Sequence, residues 1–387
     1  MTTPFRPSAA DLARIGDDVA PIAAIQQKLV ANHPRLAMAD RVAHQYQVAG
    51  GKALLRIAQT LPAHFAGVGL FVPGAQYTGI GRISTGLGCP HLETDPDFLG
   101  LMVAFHTSGG QRVDFLCIND PTSPTDTHTQ FIKLLDATAD AAGAEPAFGG
   151  VLGELDIASL AASNLRLIRS LIASLGPVLG LKVATHVAKQ TARTALSSTA
   201  YQTYWTGIAE VGGALGKFMF TPETDENHLR ALTPGERHLS GEWRQRQARG
   251  DINFKLNWLP FIDEPSTSTT ELTKPWAQRP IAVGQLTFPR IDAADTEATL
   301  LGMLAAELGA NAGNWVADAG NTIPEPSTEF ACARKLAYRN SQAGRNALPE
   351  SAYAHVFSGQ PIGAALAAEL QRRRATKEAA GHTDMAP

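Results

Sequence analysis

The sequence predicts an α+β protein built on a closed antiparallel β-barrel with helices around it. Two blocks of short runs rich in β-branched and aromatic residues, each punctuated by glycine and proline, flank a stretch with helical periodicity. Runs of this kind pair as hairpins and, in this number, can close into a barrel. The third observation is size: 387 residues, 44% hydrophobic and 18% charged, can bury a substantial core.

In chain order, an Ala-, Leu- and Ile-rich segment over about residues 8 to 31 has helical spacing and stops at a His-Pro pair, which defines an N-terminal helical arm over 1–36. From Ala39 to about Asn119 come the β-rich runs "VGLFVPG", "YTGIGRIST" and "LMVAFHTSGGQRVDFLCIN". The last is a hairpin signal, because SGG supplies positive φ between two apolar strands. Helical periodicity resumes over 126 to 142 and 155 to 183, broken at Pro177. The second β block holds "YQTYWTG", "LGKFMFTP", "INFKLNWLPF" and "PIAVGQLTFP", followed by the helix "TEATLLGMLAAEL" and a last helix carrying "ARKLAYRNSQAGR". The barrel domain with its helical insertions therefore spans 37–346. Residues 347–387 read as a C-terminal helix and flexible tail, with "RRRATKEAAGHTDMAP" solvated and frayed.

A net charge of −3 gives no whole-molecule positive field, so neither nucleic acid nor an anionic membrane is an expected partner. The three cysteines, Cys89, Cys117 and Cys332, are odd in number and widely spaced, which fits neither a disulfide framework nor a CxxC zinc site. No basic segment leads into an apolar run at the start, and no stretch reaches eighteen uninterrupted apolar residues. The expectation is a soluble chain of a reducing cytoplasm.

Several motifs fail on inspection. "VGGALGK" has Val211 where a phosphate loop needs its first glycine and Phe218 where it needs a magnesium-binding hydroxyl. "CPHLETDPD", residues 89 to 97, gathers a thiol, an imidazole and carboxylates, yet its alternating proline and acid residues read as a turn-rich loop before they read as a metal site. His64, His186 and His355 lie in apolar helical text and read as packed or surface residues.

In "ARKLAYRNSQAGR", Arg334 and Tyr338 are i and i+4 and Arg345 is seven further on, so one helical stripe carries all three. A surface stripe with a chance aromatic is one reading. The chemical reading is that Arg334 donates to the phenolic oxygen of Tyr338 and favours its anion, a ligand suited to ferric iron and one of the known axial ligands of haem. That demands a distal histidine and arginines for the propionates. "DRVAHQ" supplies Arg41 and His44, and "GRIST" supplies Arg82 and Ser84 on one face of a strand. An arginine directed into an apolar barrel demands an anion.

With these residues in place the chain resembles the haem catalase superfamily. Arg41-Val42-Ala43-His44 is similar to the family's R-V-V-H segment, and Arg82-Ile83-Ser84-Thr85 to its R-F-S-T strand. "DFLGLMVAFHTSGGQRVDFLCINDP" is similar to its D-x-x-G-x-A-V-K-F hairpin and D-L-V-G-N-N-T-P strand, and Arg334, Tyr338 and Arg345 match its proximal R-x-x-x-Y-x-x-x-x-x-x-R without a gap. The resemblance runs over about 38 to 142 and 328 to 346. It implies a haem b cofactor, with Tyr338 as the iron ligand, Arg334 supporting the phenolate, and Arg41, Arg82 and Arg345 on the propionates. Phe131 would stack on the haem, His44 would be the distal acid and base, and Ser84 would orient its imidazole.

The departures point to a more open pocket. Counting from Asp114, the family's distal asparagine falls on Ile118 with Asn119 beside it, so Asn119 serves as the catalytic amide only if the strand shifts by one. Ala43 replaces a bulkier residue, and Ala104 stands where catalases carry a lysine. The shorter chain resembles the smaller catalase-related branch, which includes organic hydroperoxidases and allene oxide synthases. The resemblance implies a haem peroxidase or catalase-like enzyme that cleaves the O–O bond of hydrogen peroxide or an organic hydroperoxide, using an unidentified electron donor. Hydroperoxide isomerase or lyase activity, and non-catalytic binding of haem or an apolar ligand, remain alternatives. Catalases are generally oligomeric, so a homo-oligomer is a further expectation.

Overall fold

The computed structural model describes residues 5–32, 41–86, 88, 97–141, 157–194, 198–224, 238–292, 294–314 and 328–379. Eight strands pair antiparallel in chain order and close on themselves: β1 (Gln47–Ile57), β2 (Gln76–Thr85), β3 (Leu99–His106), β4 (Arg112–Ile118), β5 (Tyr204–Val211), β6 (Ala214–Pro222), β7 (Ile252–Pro260) and β8 (Ile281–Phe288). β1 meets β8 through Leu54 opposite Thr287. β5 and β6 turn over Gly212 and Gly213, both in the left-handed region at φ 54 and 83. This two-glycine hairpin is the stretch that resembled a phosphate loop, and its geometry is that of a tight turn.

Inward positions alternate along each strand and fill the barrel. Val103, Phe105, Phe115, Phe218, Phe220, Phe254, Trp258 and Phe288 form one cluster, with Phe71 and Phe218 stacked at 5.5 Å. Each buried aromatic of this size contributes about 1.5–3 kcal/mol from removal of apolar surface from water. "VGLFVPG", expected as a strand, is a turn-rich segment with one bridge between Val68 and Phe71. Its Leu70 and Phe71 pack into the barrel core, where burial rather than a ladder holds them.

The barrel interior has no room for the polar face of β2. Ile83 points in, whereas Arg82 and Ser84 line a cleft on the outer wall, so the expected inward arginine faces outward. Helices α1 (Ala9–Val19), α2 (Ile22–Asn32) and α3 (His128–Ala141) stand over this wall with α8 (Glu329–Gly344). Between α3 and β5, α4 (Ile157–Leu175) ends at Gly176 and α5 (Pro177–Thr194) begins on Pro177, where its missing N–H costs nothing. α6 (Leu239–Arg249) links β6 to β7.

A second apolar layer packs outside β1 to β3. α7 (Thr296–Glu307) supplies Leu300, Leu301, Leu304 and Ala305, and α9 (Ala364–Ala379) supplies Leu366 and Leu370. The part of α9 from Arg372 onward, expected as frayed tail, is helical as far as Ala379 and docked through Arg373 and Lys377. Buried Glu307 accepts from Lys377 Nζ at 2.5 Å and Arg373 Nη1 at 3.2 Å. No helix among the described residues is long and apolar enough to cross a membrane.

Candidate active site

The cleft between the barrel wall and α8 gathers residues from nine elements: α1, α2, α3, α8 and strands β2 to β6. α8 is started by Thr328, whose side chain accepts the Ala331 N–H, with Glu329 favourably placed in its first turn. Cys332 and Ala333 face the cluster of Ile15, Val19, Ile22 and Leu29, which sets the rotation of the helix. The stripe of Arg334, Tyr338, Ser341 and Arg345 is thereby turned to the cavity, with Arg345 as the residue that ends the helix.

His44 sits opposite on a strained segment. Its φ is 56, a left-handed conformation rare for a residue with a side chain. Both of its backbone groups are held: its N–H donates to Gly86 O at 2.8 Å, and its carbonyl accepts from Arg82 Nη2 at 2.8 Å. The imidazole Nδ1 lies 3.2 Å from Ser84 Oγ. Behind it, a Cβ on Gly100 would come within 2.5 Å of Nδ1 and 2.8 Å of Ser84 Oγ. The glycine is therefore what lets the ring lie against the strand. Burial pushes the His44 imidazole down to about 4; Arg82 and Arg334 act in the same direction, and Asp97 and a backbone hydrogen bond with Thr85 oppose them. His44 is neutral at neutral pH and available to take a proton.

Arg41, Arg82 and Arg345 all line this cavity. Arg41 Nη2 donates to Ala306 O at 2.7 Å and Leu308 O at 3.4 Å, and Arg345 Nη2 reaches the same Leu308 carbonyl at 2.7 Å. Arg82 also donates to Gln45 O at 3.0 Å. Arg41 has no carboxylate partner among the described residues, which leaves its charge available to an anion. The Arg334 guanidinium lies over the Tyr338 ring, 5.9 Å from its centroid, and its Nη1 would be 2.9 Å from a Cβ on Gly207. The expected hydrogen bond from Arg334 to the phenolic oxygen is not formed. No described residue bonds that oxygen, and the Tyr338 side chain lines the cavity.

Phe131 of α3 also lines the cavity, edge-on to Phe330 at 5.8 Å. Asn119 does not. Its Oδ1 accepts the Leu99 N–H at 2.7 Å and its Nδ2 donates to Gln202 at 3.3 Å, so the amide pins the end of β3. The strand keeps its register through Ile118, which pairs with Gly100 and Trp205 and lines the cavity instead. The catalytic role expected of Asn119 has no geometric support. Ala43 borders the cavity, but Ala104 is buried under Tyr353 and α7 and opens nothing. Residues 89–96 of the acidic stretch lie outside the described residues; Asp97 is buried and accepts the Gly86 and Phe98 N–H groups, both at 2.6 Å.

Residues that sequence reasoning passed over are Gly100, Gly207, Phe330 and Lys217. Lys217 was visible only as the lysine of a failed phosphate loop. The donor set as a whole fits haem: a phenolic oxygen that no described residue bonds, an imidazole, and three arginines for two carboxylates, two of them on the Leu308 carbonyl and one on the His44 carbonyl.

No protein-family model matches the chain, and no curated protein sequence matches it. Solved structures do. A bacterial catalase superposes with a TM-score of 0.56 at 16% identity, covering 84% of this chain and 60% of its own. The chain has the catalase fold. A fungal catalase gives 0.52 at 15% identity over 79% of this chain and 61% of its own, and catalase A from Saccharomyces cerevisiae gives 0.53 at 11% over 82% and 62%. This version of the catalase fold spans about three-fifths of the length of those proteins.

Proposed function

We propose that the chain is a haem-dependent hydroperoxidase that cleaves the O–O bond of organic hydroperoxides. One observation carries the reading: His44, strained and bonded to Ser84, faces the same cavity as the phenolic side chain of Tyr338, whose oxygen no described residue bonds, and three arginines. Tyr338 would hold the iron, and Arg41, Arg82 and Arg345 would hold the propionates. Haem, when bound, supplies the redox chemistry of the O–O bond.

The chain's own residues then manage position and protons. Neutral His44 takes the proton from the terminal oxygen of ROOH and returns it to the departing RO oxygen, which leaves as an alcohol. Ser84 fixes the imidazole through Nδ1, so the ring does not rotate away between the two transfers. Ile118 offers an apolar contact where catalases place an amide, and Ala43 adds little bulk, which favours an organic hydroperoxide over hydrogen peroxide. The test is His44→Ala in protein loaded with haem. Cumene hydroperoxide reduction should slow by about 10²-fold or more with haem retained, and unchanged turnover would remove His44 from this role. A rearranged ketone or epoxide in place of the alcohol would move the reading to an isomerase.

A further inference from the structure

At the β6 side of the cavity lies a cation that the reading above does not use. Lys217 is 5% exposed, and its neighbours Ile208, Leu272, Trp276 and Phe330 belong to one apolar cluster. Its ammonium has three donors but makes one hydrogen bond among the described residues, to Pro121 O at 3.2 Å, and sits 4.7 Å from the centre of the Trp276 ring. No carboxylate among the described residues pairs with it. Asp120 attracts the ammonium from a distance without forming an ion pair with it, and its Oδ1 accepts the N–H and hydroxyl of Thr122 at 2.8 and 2.5 Å. Loss of hydration pulls the ammonium down to about 8, which still leaves it charged at neutral pH. A buried ammonium with spare donors and an apolar surround is suited to an anion that brings apolar surface with it.

We propose that Lys217 anchors the carboxylate of an amphipathic organic acid whose apolar body lies along Trp205, Ile208, Leu272 and Phe330, in the cavity that also holds His44. Resting on the hydroperoxidase reading, this names the substrate class: a hydroperoxide carrying a carboxylate remote from its peroxide group. A neutral apolar hydroperoxide would use the same wall and gain nothing from Lys217. Inorganic anions would gain the charge and nothing from the wall.

Decanoate and 1-decanol, which share a chain and differ in the head group, separate these contributions by titration calorimetry on the purified full chain. Wild type should bind decanoate more tightly than decanol. Lys217→Gln should weaken decanoate about 10-fold or more, the loss of one charge-assisted hydrogen bond, and leave decanol unaltered. Lys217→Arg should retain most decanoate affinity, and a thermal melt of both variants shows that they are folded. The proposal is overturned if wild type does not bind decanoate, if Lys217→Gln binds it normally, if both ligands weaken together, or if Arg345→Gln rather than Lys217→Gln loses it, because the arginines would then hold the carboxylate. Haem content is read by absorbance on the same samples. Absence of haem counts against the hydroperoxidase reading, while the decanoate result still decides Lys217.

Discussion

Gly100→Ala tests the distal geometry without touching a polar group. Gly100 pairs with Ser84 on one side and Ile118 on the other, and its backbone is not in the left-handed region, so alanine can adopt the strand. The added methyl would lie 2.5 Å from His44 Nδ1, and an ordinary contact begins at 3.4 Å, so the ring must retreat by about 0.9 Å, the difference between the two. It cannot do so and keep a 3.2 Å bond to Ser84, because the His44 backbone is pinned through Gly86 and Arg82. A misplacement of about 1 Å costs on the order of 10²-fold in rate, or about 2.7 kcal/mol of barrier. Overpacking should lower stability by roughly 1–3 kcal/mol, which leaves a folded barrel. The assay is kcat/KM for cumene hydroperoxide at equal haem content. A value within two-fold of wild type would refute the argument that this glycine positions the acid-base histidine.

Turnover should be level from pH 7 down to about 5 and fall as His44 protonates near 4, read from a pH profile at constant haem content. Because the folded imidazole titrates below its unfolded value of 6.5, the unfolded chain takes the proton first. Stability is therefore lost as pH falls from 6.5 toward 4, by up to roughly 3 kcal/mol, in denaturant melts across that range. Ile118→Asn places an amide beside Gly100 and Trp205 in the cavity, and should raise hydrogen peroxide turnover relative to cumene hydroperoxide in paired assays. Phe218→Ala removes a ring that stacks on Phe71 and meets Phe65, Phe115 and Trp258, and should cost about 3–5 kcal/mol in a melt.

Much of the candidate site could be proposed from the sequence because its pattern is local. Arg334 and Tyr338 are one helical turn apart, Arg82 and Ser84 share a strand face, and alternation fixes both facts before any fold is known. What alternation leaves open is which face is inside. Arg82 and Ser84 turned out to lie on the outer wall, and only closure of eight strands around their aromatics decides that. Asn119 and Ile118 differ by one residue and therefore by a whole face, so the distal amide rests on a register that only the ladder with β3 and β5 supplies. Ala104 was misplaced for a related reason: the layer of α7 and Tyr353 that covers it comes from some 200 residues away. β1, with two glycines in "QVAGGKALLRI", carries a weak strand signal and is held by its neighbours. The docked end of α9 depends on Glu307, a partner no local pattern reveals.

Tyr338 and His44 are proposed to face one haem. Titration of the purified protein with haemin, followed by absorbance, tests it most directly. Saturation at one haem per chain with a tyrosinate-ligated ferric spectrum is expected, and loss of that spectrum in Tyr338→Phe. No saturable binding in wild type, or the same spectrum in Tyr338→Phe, would contradict it.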